Sequence, residues 1–231
     1  MSAPTYSVII PVLNEAAQIV PCIENVKSCI GDSEIIVVDG SSKDGTPALA
    51  RERGVKVVDH IASRGGQCHA GAEAARGKVF VFLHADCRLE PDAASVLDRE
   101  FIGKNREVAK FSAKFDSPAL KYRLRSWFGR MENIFTTFGD QGIVVSAASY
   151  RSGNRIPDMK LFEDVEFFRR ARKKGKIIVL KSTIHLSIRR FVVKGCYRSF
   201  VKDGILIFYY LLGMSDEKLY SMYYKKPGLK S

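Results

Sequence analysis

The chain has 231 residues, which fits one large α/β domain or two small ones with an ample core. Its five cysteines are odd in number and scattered, so they argue against a disulfide framework and a zinc site, and for a reducing compartment. The longest apolar run, residues 205–212, is too short to span a bilayer, and a strand pattern at residues 6–11 argues against a signal peptide. We therefore expect a cytoplasmic protein.

The net charge of +12 is unevenly distributed along the chain. Residues 1–159 carry 20 Lys and Arg against 19 Asp and Glu, whereas residues 160–231 carry 17 against 6. A basic segment attracts phosphates, anionic lipid or nucleic acid. The choice among these partners has to come from the chemistry of the site.

The first part of the chain predicts three βα units followed by a fourth strand. Apolar runs predict strands at residues 6–11, 35–39, 55–59 and 79–83, with a helix after each of the first three. Because the connections are short and such crossovers are right-handed, this order predicts a doubly wound parallel sheet.

The second part of the chain predicts a mixture of strands and helices. Residues 110–115 alternate between apolar and polar and predict a half-exposed strand, which we expect to be antiparallel. Apolar residues at helical spacing mark a long amphipathic helix at 120–135. The remaining predicted elements are strands at 143–146 and 177–180 and helices from 91 to about 102, 165–174 and 192–212.

Acidic residues follow three of the predicted strands. These are Glu15, Asp39 and Asp86, while Asp164 lies at the start of a helix. The carboxyl ends of parallel strands meet at one edge of a sheet, so we expect the first three to converge there. A ring of acids without a nucleophilic Ser or Cys constellation favours metal-assisted or general-base chemistry. No Gly-x-Gly-x-x-Gly and no Walker lysine motif supports a dinucleotide or P-loop site.

Four motifs in this order resemble family 2 glycosyltransferases with the GT-A fold. They are Pro11-Val12-Leu13-Asn14-Glu15, then Val37-Val38-Asp39-Gly40-Ser41-Ser42-Lys43-Asp44-Gly45-Thr46, then His84-Ala85-Asp86, then Glu163-Asp164. The resemblance extends over nearly the whole chain and is closest to the small bacterial members described as radical-SAM/selenodomain-associated. It implies a Rossmann-like α/β fold, with a mixed, mostly parallel sheet flanked by helices and a helical C-terminal segment. We expect residues 1–190 to form the GT-A domain and residues 191–231 a basic, apolar helical extension of the same compact unit.

The resemblance implies that a nucleoside diphosphate sugar lies across the strand ends. By position, Pro11, Asn14 and Glu15 would flank the nucleoside, and Asp39 would accept hydrogen bonds from its base. A carboxylate can take the imide hydrogen of uracil or the donors of guanine, so Asp39 is compatible with either base. Arg64 would reach the nucleotide phosphates or remain an exposed loop arginine.

The His84-Ala85-Asp86 segment stands where the family has its Asp-x-Asp metal motif. Asp86 would bind Mn²⁺ or Mg²⁺ that bridges the diphosphate, a role suited to hard oxygen ligands. Histidine at the first position departs from the family pattern. His84 would therefore contact the ribose, the diphosphate or the metal, or pack at the end of the strand.

The resemblance also implies an inverting transfer with Asp164 as the base that deprotonates the acceptor hydroxyl. Glu163 and Asp140 would lie on the acceptor side, and helix-dipole stabilisation is the alternative role for Glu163. His185, Arg189 and Arg190 would contact the diphosphate from a loop that closes over the donor, or form a solvated basic turn.

The basic C-terminal third leaves the acceptor open. Residues 205–212 predict either a core helix or an interfacial helix on anionic lipid, which would suit a lipid-linked acceptor and a peripheral location at the inner face of the membrane. Two other classes compete with a transferase. A nucleotidyltransferase would show a glycine-rich basic loop after the first strand, which residues 11–15 do not form. A non-enzymatic module binding membrane or nucleic acid would rest on the charge of residues 160–231 alone.

Overall fold

A computed structural model describes residues 4–60, 63–117, 119, 122–123, 126–127, 132, 141–187 and 196–224, without the side chains of 196–201, 203 and 224. The strands are β1 (Tyr6–Val12), β2 (Ser33–Asp39), β3 (Lys56–Asp59), β4 (Val79–Phe82), β5 (Cys87–Leu89), β6 (Val108–Phe115), β7 (Ile143–Ser146) and β8 (Ile178–Leu186). The helices are α1 (Ala16–Cys29), α2 (Thr46–Glu52), α3 (Arg64–Glu73), α4 (Ala93–Val96) with a π-helical continuation (Leu97–Ile102), α5 (Ala147–Arg151), α6 (Glu163–Lys174), α7 (Cys196–Leu211) and α8 (Asp216–Tyr224).

The described strands form one sheet in the order β3-β2-β1-β4-β7-β6-β8-β5. In the first half, β1 pairs in parallel with β2 and β4, and β2 pairs in parallel with β3. All four residues of β4 are buried, as expected for a strand covered on both faces. The predicted doubly wound arrangement is confirmed for this half.

The second half makes the sheet mixed. Strand β7 is antiparallel to both β4 and β6, and β8 is parallel to β6 but antiparallel to β5. The strand predicted at residues 110–115 therefore has one antiparallel and one parallel neighbour. Strand β8 runs six residues beyond the predicted end at residue 180, and the three-residue β5 was not predicted at all.

Several predicted helix boundaries move for local reasons. Helix α3 begins at Arg64 rather than at residue 67 because the hydroxyl of Ser63 caps it by accepting the Gly66 N–H at 3.0 Å. The helix predicted after residue 91 changes to π-helix at Leu97. Most of the predicted amphipathic helix at 120–135 lies outside the described residues, although 122–123 and 126–127 are helical. The start of the predicted C-terminal helix, residues 192–195, also lies outside them.

Apolar residues cover both faces of the sheet. One cluster joins the sheet to α1 and α4 and includes Ile19, Ile23 and Leu97. The other joins it to α3 and α6 and includes Phe167 and Phe168. Since both faces are covered, the open edge at the strand ends is where polar side chains collect.

The C-terminal helices pack against the start of α6. The rings of Phe162 and Tyr210 lie 5.8 Å apart, and the Tyr210 hydroxyl donates to the carboxylate of Glu166. Asp216, the first residue of α8, accepts the backbone N–H groups of Lys160 at 2.6 Å and Leu161 at 2.9 Å. Within the described residues, no helix is both long enough and apolar enough to cross a bilayer.

Candidate active site

A cavity of about 770 Å³ opens at the carboxyl ends of β1 and β4. Its walls come from the loop after β1, the start of α3, the segment after β4 and the C-terminal helix α8. Pro11, Glu15, Arg64, His84 and Asp86 line it, so five of the predicted site residues meet in one place. A cavity of this size falls in the range that takes cofactors and nucleotides.

The loops after β1 and β2 interlock. Asn14, in the left-handed region at φ 56°, accepts the N–H of Lys43 at 2.8 Å, and its own N–H donates to the Ser42 hydroxyl at 2.8 Å. The Glu15 N–H donates to the Thr46 hydroxyl at 2.9 Å. Asn14 is thus an exposed residue that joins the loops, while the half-buried Glu15 faces the cavity.

Asp39 lies at the end of β2, and only one of its two carboxylate oxygens accepts hydrogen bonds from the described residues. Its Oδ2 accepts the N–H groups of Ser41 at 3.0 Å and Ser42 at 2.9 Å. The other oxygen, Oδ1, is buried and has no hydrogen-bond partner among the described residues. A buried carboxylate oxygen without a donor is costly, so this atom is suited to a donor brought by a ligand.

Asp86 and Glu15 place two carboxylates near the buried thiol of Cys22. Burial raises the pKa of this thiol to about 12, and the negative charges of Asp86 and Glu15 add to the rise. The Cys22 sulfur also lies 3.9 Å from the carbonyl oxygen of His84. Two carboxylates on this side of the cavity favour the binding of a cation beside them.

Arg64 connects the end of β4 to the start of α6. One guanidinium nitrogen contacts Nε2 of His84, and Nε lies 3.3 Å from Oε1 of Glu163. Burial lowers the pKa of Arg64, but the charges of Glu163 and Asp164 raise it more, so the pKa ends above its ordinary value. Because the guanidinium can only donate, Nε2 of His84 is the acceptor in this contact. Nε2 of His84 is therefore occupied by its contact with Arg64.

Glu163 and Asp164 begin α6 and differ in exposure. Glu163 is 8% exposed, and burial raises its pKa to about 7 although Arg64 opposes the rise and Asp164 adds to it. Asp164 is half-buried and lines a recess of about 20 Å³ beside the main cavity, together with Arg64, His84 and Pro11. The recess has room for a group the size of a water or hydroxyl.

Two further residues fix the start of α3 at the cavity. Gln67, 6% exposed, donates from Nε2 to the carbonyl oxygens of Val12 at 3.0 Å and Val38 at 2.9 Å, and so joins α3 to the ends of β1 and β2. At Gly65, a Cβ atom would lie 1.9 Å from the Pro157 carbonyl oxygen, so only glycine allows this approach. The first turn of α3 is thereby held beside the strand ends.

The structure leaves part of the predicted site untested. Asp140, Arg189 and Arg190 lie outside the described residues. The placement of His185 on a closing loop is wrong, because it lies within β8 and bonds Asp116 at 2.7 Å and Glu90 at 2.6 Å.

Sequence reasoning also missed three residues near the strand ends. Gln67, Lys160 and Tyr220 all line the cavity. The helical spacing after residue 63 was a usable signal for Gln67. For Lys160 and Tyr220 no local pattern distinguishes them from surface residues, since they reach the cavity only through tertiary packing.

The chain is similar to known glycosyltransferases in sequence. The profile of Glycosyl transferase family 2 matches residues 7–193. A hexosyltransferase of low-salt glycan biosynthesis from Haloferax volcanii is 40% identical over 89 residues, which are 37% of this chain and 22% of the relative. A PGL/p-HBAD biosynthesis glycosyltransferase from Mycobacterium bovis is 33% identical over 113 residues, 46% of this chain and 44% of the relative. The chain thus spans less than half the length of either relative.

Solved structures share its fold. A mannosyltransferase from Pyrobaculum calidifontis, in complex with GDP-Man and Mn²⁺, matches with a TM-score of 0.69 at 16% identity, over 97% of this chain and 71% of that chain. Residues 1–349 of TarS from S. aureus, in complex with UDP-GlcNAc, match with a TM-score of 0.62 at 17% identity, over 80% of this chain and 59% of that chain. These likenesses confirm the expected GT-A fold. Since the family profile covers most of the chain, the protein belongs to Glycosyl transferase family 2.

Proposed function

We propose that this protein is an inverting glycosyltransferase that moves a sugar from a nucleoside diphosphate sugar to an acceptor hydroxyl. The observation that carries the proposal is that Arg64 and His84 line both the main cavity, which contains Asp86, and the recess beside it, which contains Glu163 and Asp164. An acid for a cation and an acid for proton removal then lie in adjoining spaces that share one arginine.

The donor nucleoside binds at the ends of β1 and β2 in this proposal. The free Oδ1 of Asp39 accepts a hydrogen bond from the base, with Pro11 and Glu15 beside the nucleoside and Asn14 holding the loop in shape. Two structural relatives carry UDP-GlcNAc and GDP-Man in their complexes, so the fold accommodates both bases that a carboxylate can recognise.

We propose that Asp86 holds a divalent cation, Mn²⁺ or Mg²⁺. The described residues contain no group of three or more His, Cys, Asp or Glu side chains able to hold a metal by themselves. A single carboxylate fits a cation that also binds substrate phosphates and water, which is the usual arrangement for Mg²⁺. When bound, the cation neutralises charge on the leaving diphosphate. Arg64, at the start of α3, contacts the same diphosphate in this proposal. Arg189 and Arg190, which lie outside the described residues, contact it as well.

Asp164 acts as the general base. It removes the proton of the acceptor hydroxyl as the oxygen forms a bond to the anomeric carbon, while the bond from that carbon to the diphosphate oxygen breaks. The nucleoside diphosphate leaves with both electrons, and one displacement inverts the configuration without an enzyme nucleophile. Asp164 suits this role better than Glu163 because it is the more exposed of the two, while the carboxylate of Glu163 pairs with Arg64. Glu163 and Asp140 lie on the acceptor side in this proposal.

The remaining assignments are coarser. The acceptor is a compound with a hydroxyl group, and lipid-linked compounds belong to this class. The enzyme works in the cytoplasm with access to the inner face of the membrane. Residues 1–190 form the catalytic unit and 191–231 an extension of it. We also propose that the protein belongs to the radical-SAM/selenodomain-associated subgroup of the family.

Substitution of single acids tests the proposal. Asp164→Asn should reduce transfer by at least about 100-fold, because general-base catalysis contributes about 10² to 10⁴, while leaving donor affinity unchanged. Asp86→Asn should weaken donor binding in the presence of Mn²⁺. Asp59→Asn is the matched control, because Asp59 also ends a strand of the sheet, β3 beside β2, and its side chain is 72% exposed. Full transfer by Asp164→Asn, or release of pyrophosphate from a nucleoside triphosphate, would contradict the proposal.

A further inference from the structure

The C-terminal helix α7 has apolar residues on two opposite sides. Leu206 and Ile207 face inward and are 1% and 3% exposed. Ile205, Phe208 and Leu212 are 49%, 59% and 68% exposed, and their spacing of three and four residues places them on one outward face. Among the described residues, most of the large exposed apolar side chains are here and on α8, which adds Tyr220 and Met222. An apolar face of this kind marks an interaction surface.

The stretch of sequence that carries this outward face is basic. Residues 194–231 contain seven Lys and Arg and three Asp and Glu, and no charged residue interrupts the sequence from 204 to 215. Lys202 lies on the flank of the face, exposed, with its ammonium over the ring of Tyr223 at 5.2 Å. Asp216 is turned away to the backbone N–H groups of Lys160 and Leu161. A second copy of this chain would also have a net charge of +12, and repulsion between two such copies opposes self-association.

We propose that the outward face of α7 docks on the surface of an anionic phospholipid bilayer. Apolar side chains enter the boundary between headgroups and acyl chains, and basic residues beside them meet the anionic headgroups. A helix with an apolar face and basic flanks binds in the plane of the membrane in this way. The element stays at the surface and does not span the bilayer.

Helix α7 packs against α8 and the start of α6, which both reach the proposed active site. Tyr220 of α8 and Lys160 both line the main cavity. The Asp216 carboxylate fixes the segment that leads into Glu163 and Asp164, and Tyr210 of α7 contacts both Phe162 and Glu166. A bilayer bound by α7 therefore lies next to α8, which packs against α7 and contributes Tyr220 to the cavity wall. This consequence rests on the proposed function: the acceptor is a lipid-linked hydroxyl compound that reaches the cavity from the membrane.

Vesicle binding tests the docking without any sugar nucleotide. The full chain is mixed with sucrose-loaded vesicles of phosphatidylcholine alone, or of phosphatidylcholine with an equal part of phosphatidylglycerol, and sedimented. We expect binding to the anionic vesicles only, weakened by added salt. The double substitution Phe208→Ser and Leu212→Ser should weaken binding about tenfold or more, because both side chains lose their burial in the interface.

A matched pair of single substitutions separates this face from general hydrophobicity. Ile205→Ser on the outward face of α7 and Ile102→Ser after α4 change isoleucine side chains that are 49% and 41% exposed. Only the first should weaken vesicle binding, and thermal melts check that each variant is folded. Failure of the wild-type chain to bind anionic vesicles, or equal binding by the double variant, overturns the proposal. A dimer that the double variant loses overturns it too, because a second copy would then cover the face. Since no donor is present, failure here is distinct from failure of sugar transfer.

Discussion

The buried carboxyl of Glu163 should make the stability of this protein depend on pH in an unusual direction. Burial raises its pKa from 4.5 to about 7, so the folded state binds a proton that the unfolded state has already released between these values. The favourable contribution is fully present below the unfolded pKa and is lost as the pH rises through the folded pKa. Linkage gives a loss of roughly 2–3 kcal/mol of unfolding free energy between about pH 5 and about pH 8 from this group alone.

The substitution Glu163→Gln should remove this dependence. Urea unfolding of both proteins is measured at the two pH values, and the stability of the variant relative to wild type should rise by roughly 2–3 kcal/mol from the lower to the higher pH. Glu166→Gln is the matched control, because Glu166 is also buried but Arg169, Tyr210 and Arg170 overcome the effect of burial and lower its pKa to about 2. Its contribution is lost only as the pH falls toward 2, so its difference from wild type should stay constant over this window. A constant difference for Glu163→Gln as well would refute the reasoning.

Three other substitutions have expected outcomes. Gly142→Ala should lower the unfolding free energy by about 1–3 kcal/mol, because Gly142 has φ +69° and a Cβ atom would lie 3.0 Å from Phe111. The control Gly31→Ala has open space around it and should cost less than about 1 kcal/mol. Thermal or urea unfolding measures both. Gln67→Leu should lower stability by about 1–2 kcal/mol because two buried hydrogen bonds are lost; unchanged unfolding would contradict the bracing role. Arg64→Gln should weaken donor binding about tenfold or more in calorimetry, as expected for a lost charge-assisted bond, and equal affinity would remove the arginine from the donor site.

The strand ends were predictable because their signal is local. A run of buried apolar residues followed by a polar one marks where a strand leaves the core, and Glu15, Asp39 and Asp86 were found in this way. Glu15 and Asp86 line one cavity, whereas Asp39 does not line it but pairs with Val12, which does, and its Oδ1 is buried. The convergence itself follows from parallel pairing of β1 with β2 and β4.

Contacts between distant segments were not predictable from local pattern. Arg64 meets His84 and Glu163 across 20 and 99 residues, and no periodicity encodes such an approach. The end of β8 was missed because Lys181, Ser182 and Thr183 interrupt the apolar run, although Ser182 is 1% exposed and bonds Asp92 at 2.5 Å. That strand carries His185 into the sheet and away from the loop on which it was predicted.

The central claim is that a nucleoside diphosphate sugar and a divalent cation bind together at Asp86. A thermal-shift screen of UDP-, GDP- and dTDP-sugars, with and without Mn²⁺, tests it most directly when wild type and Asp86→Asn are compared. One class of sugar nucleotide should raise the melting temperature of the wild type, more strongly with Mn²⁺ than without, and the Mn²⁺-dependent part should vanish in Asp86→Asn. A wild-type protein indifferent to every sugar nucleotide, or an undiminished Mn²⁺ effect in the variant, would contradict the account.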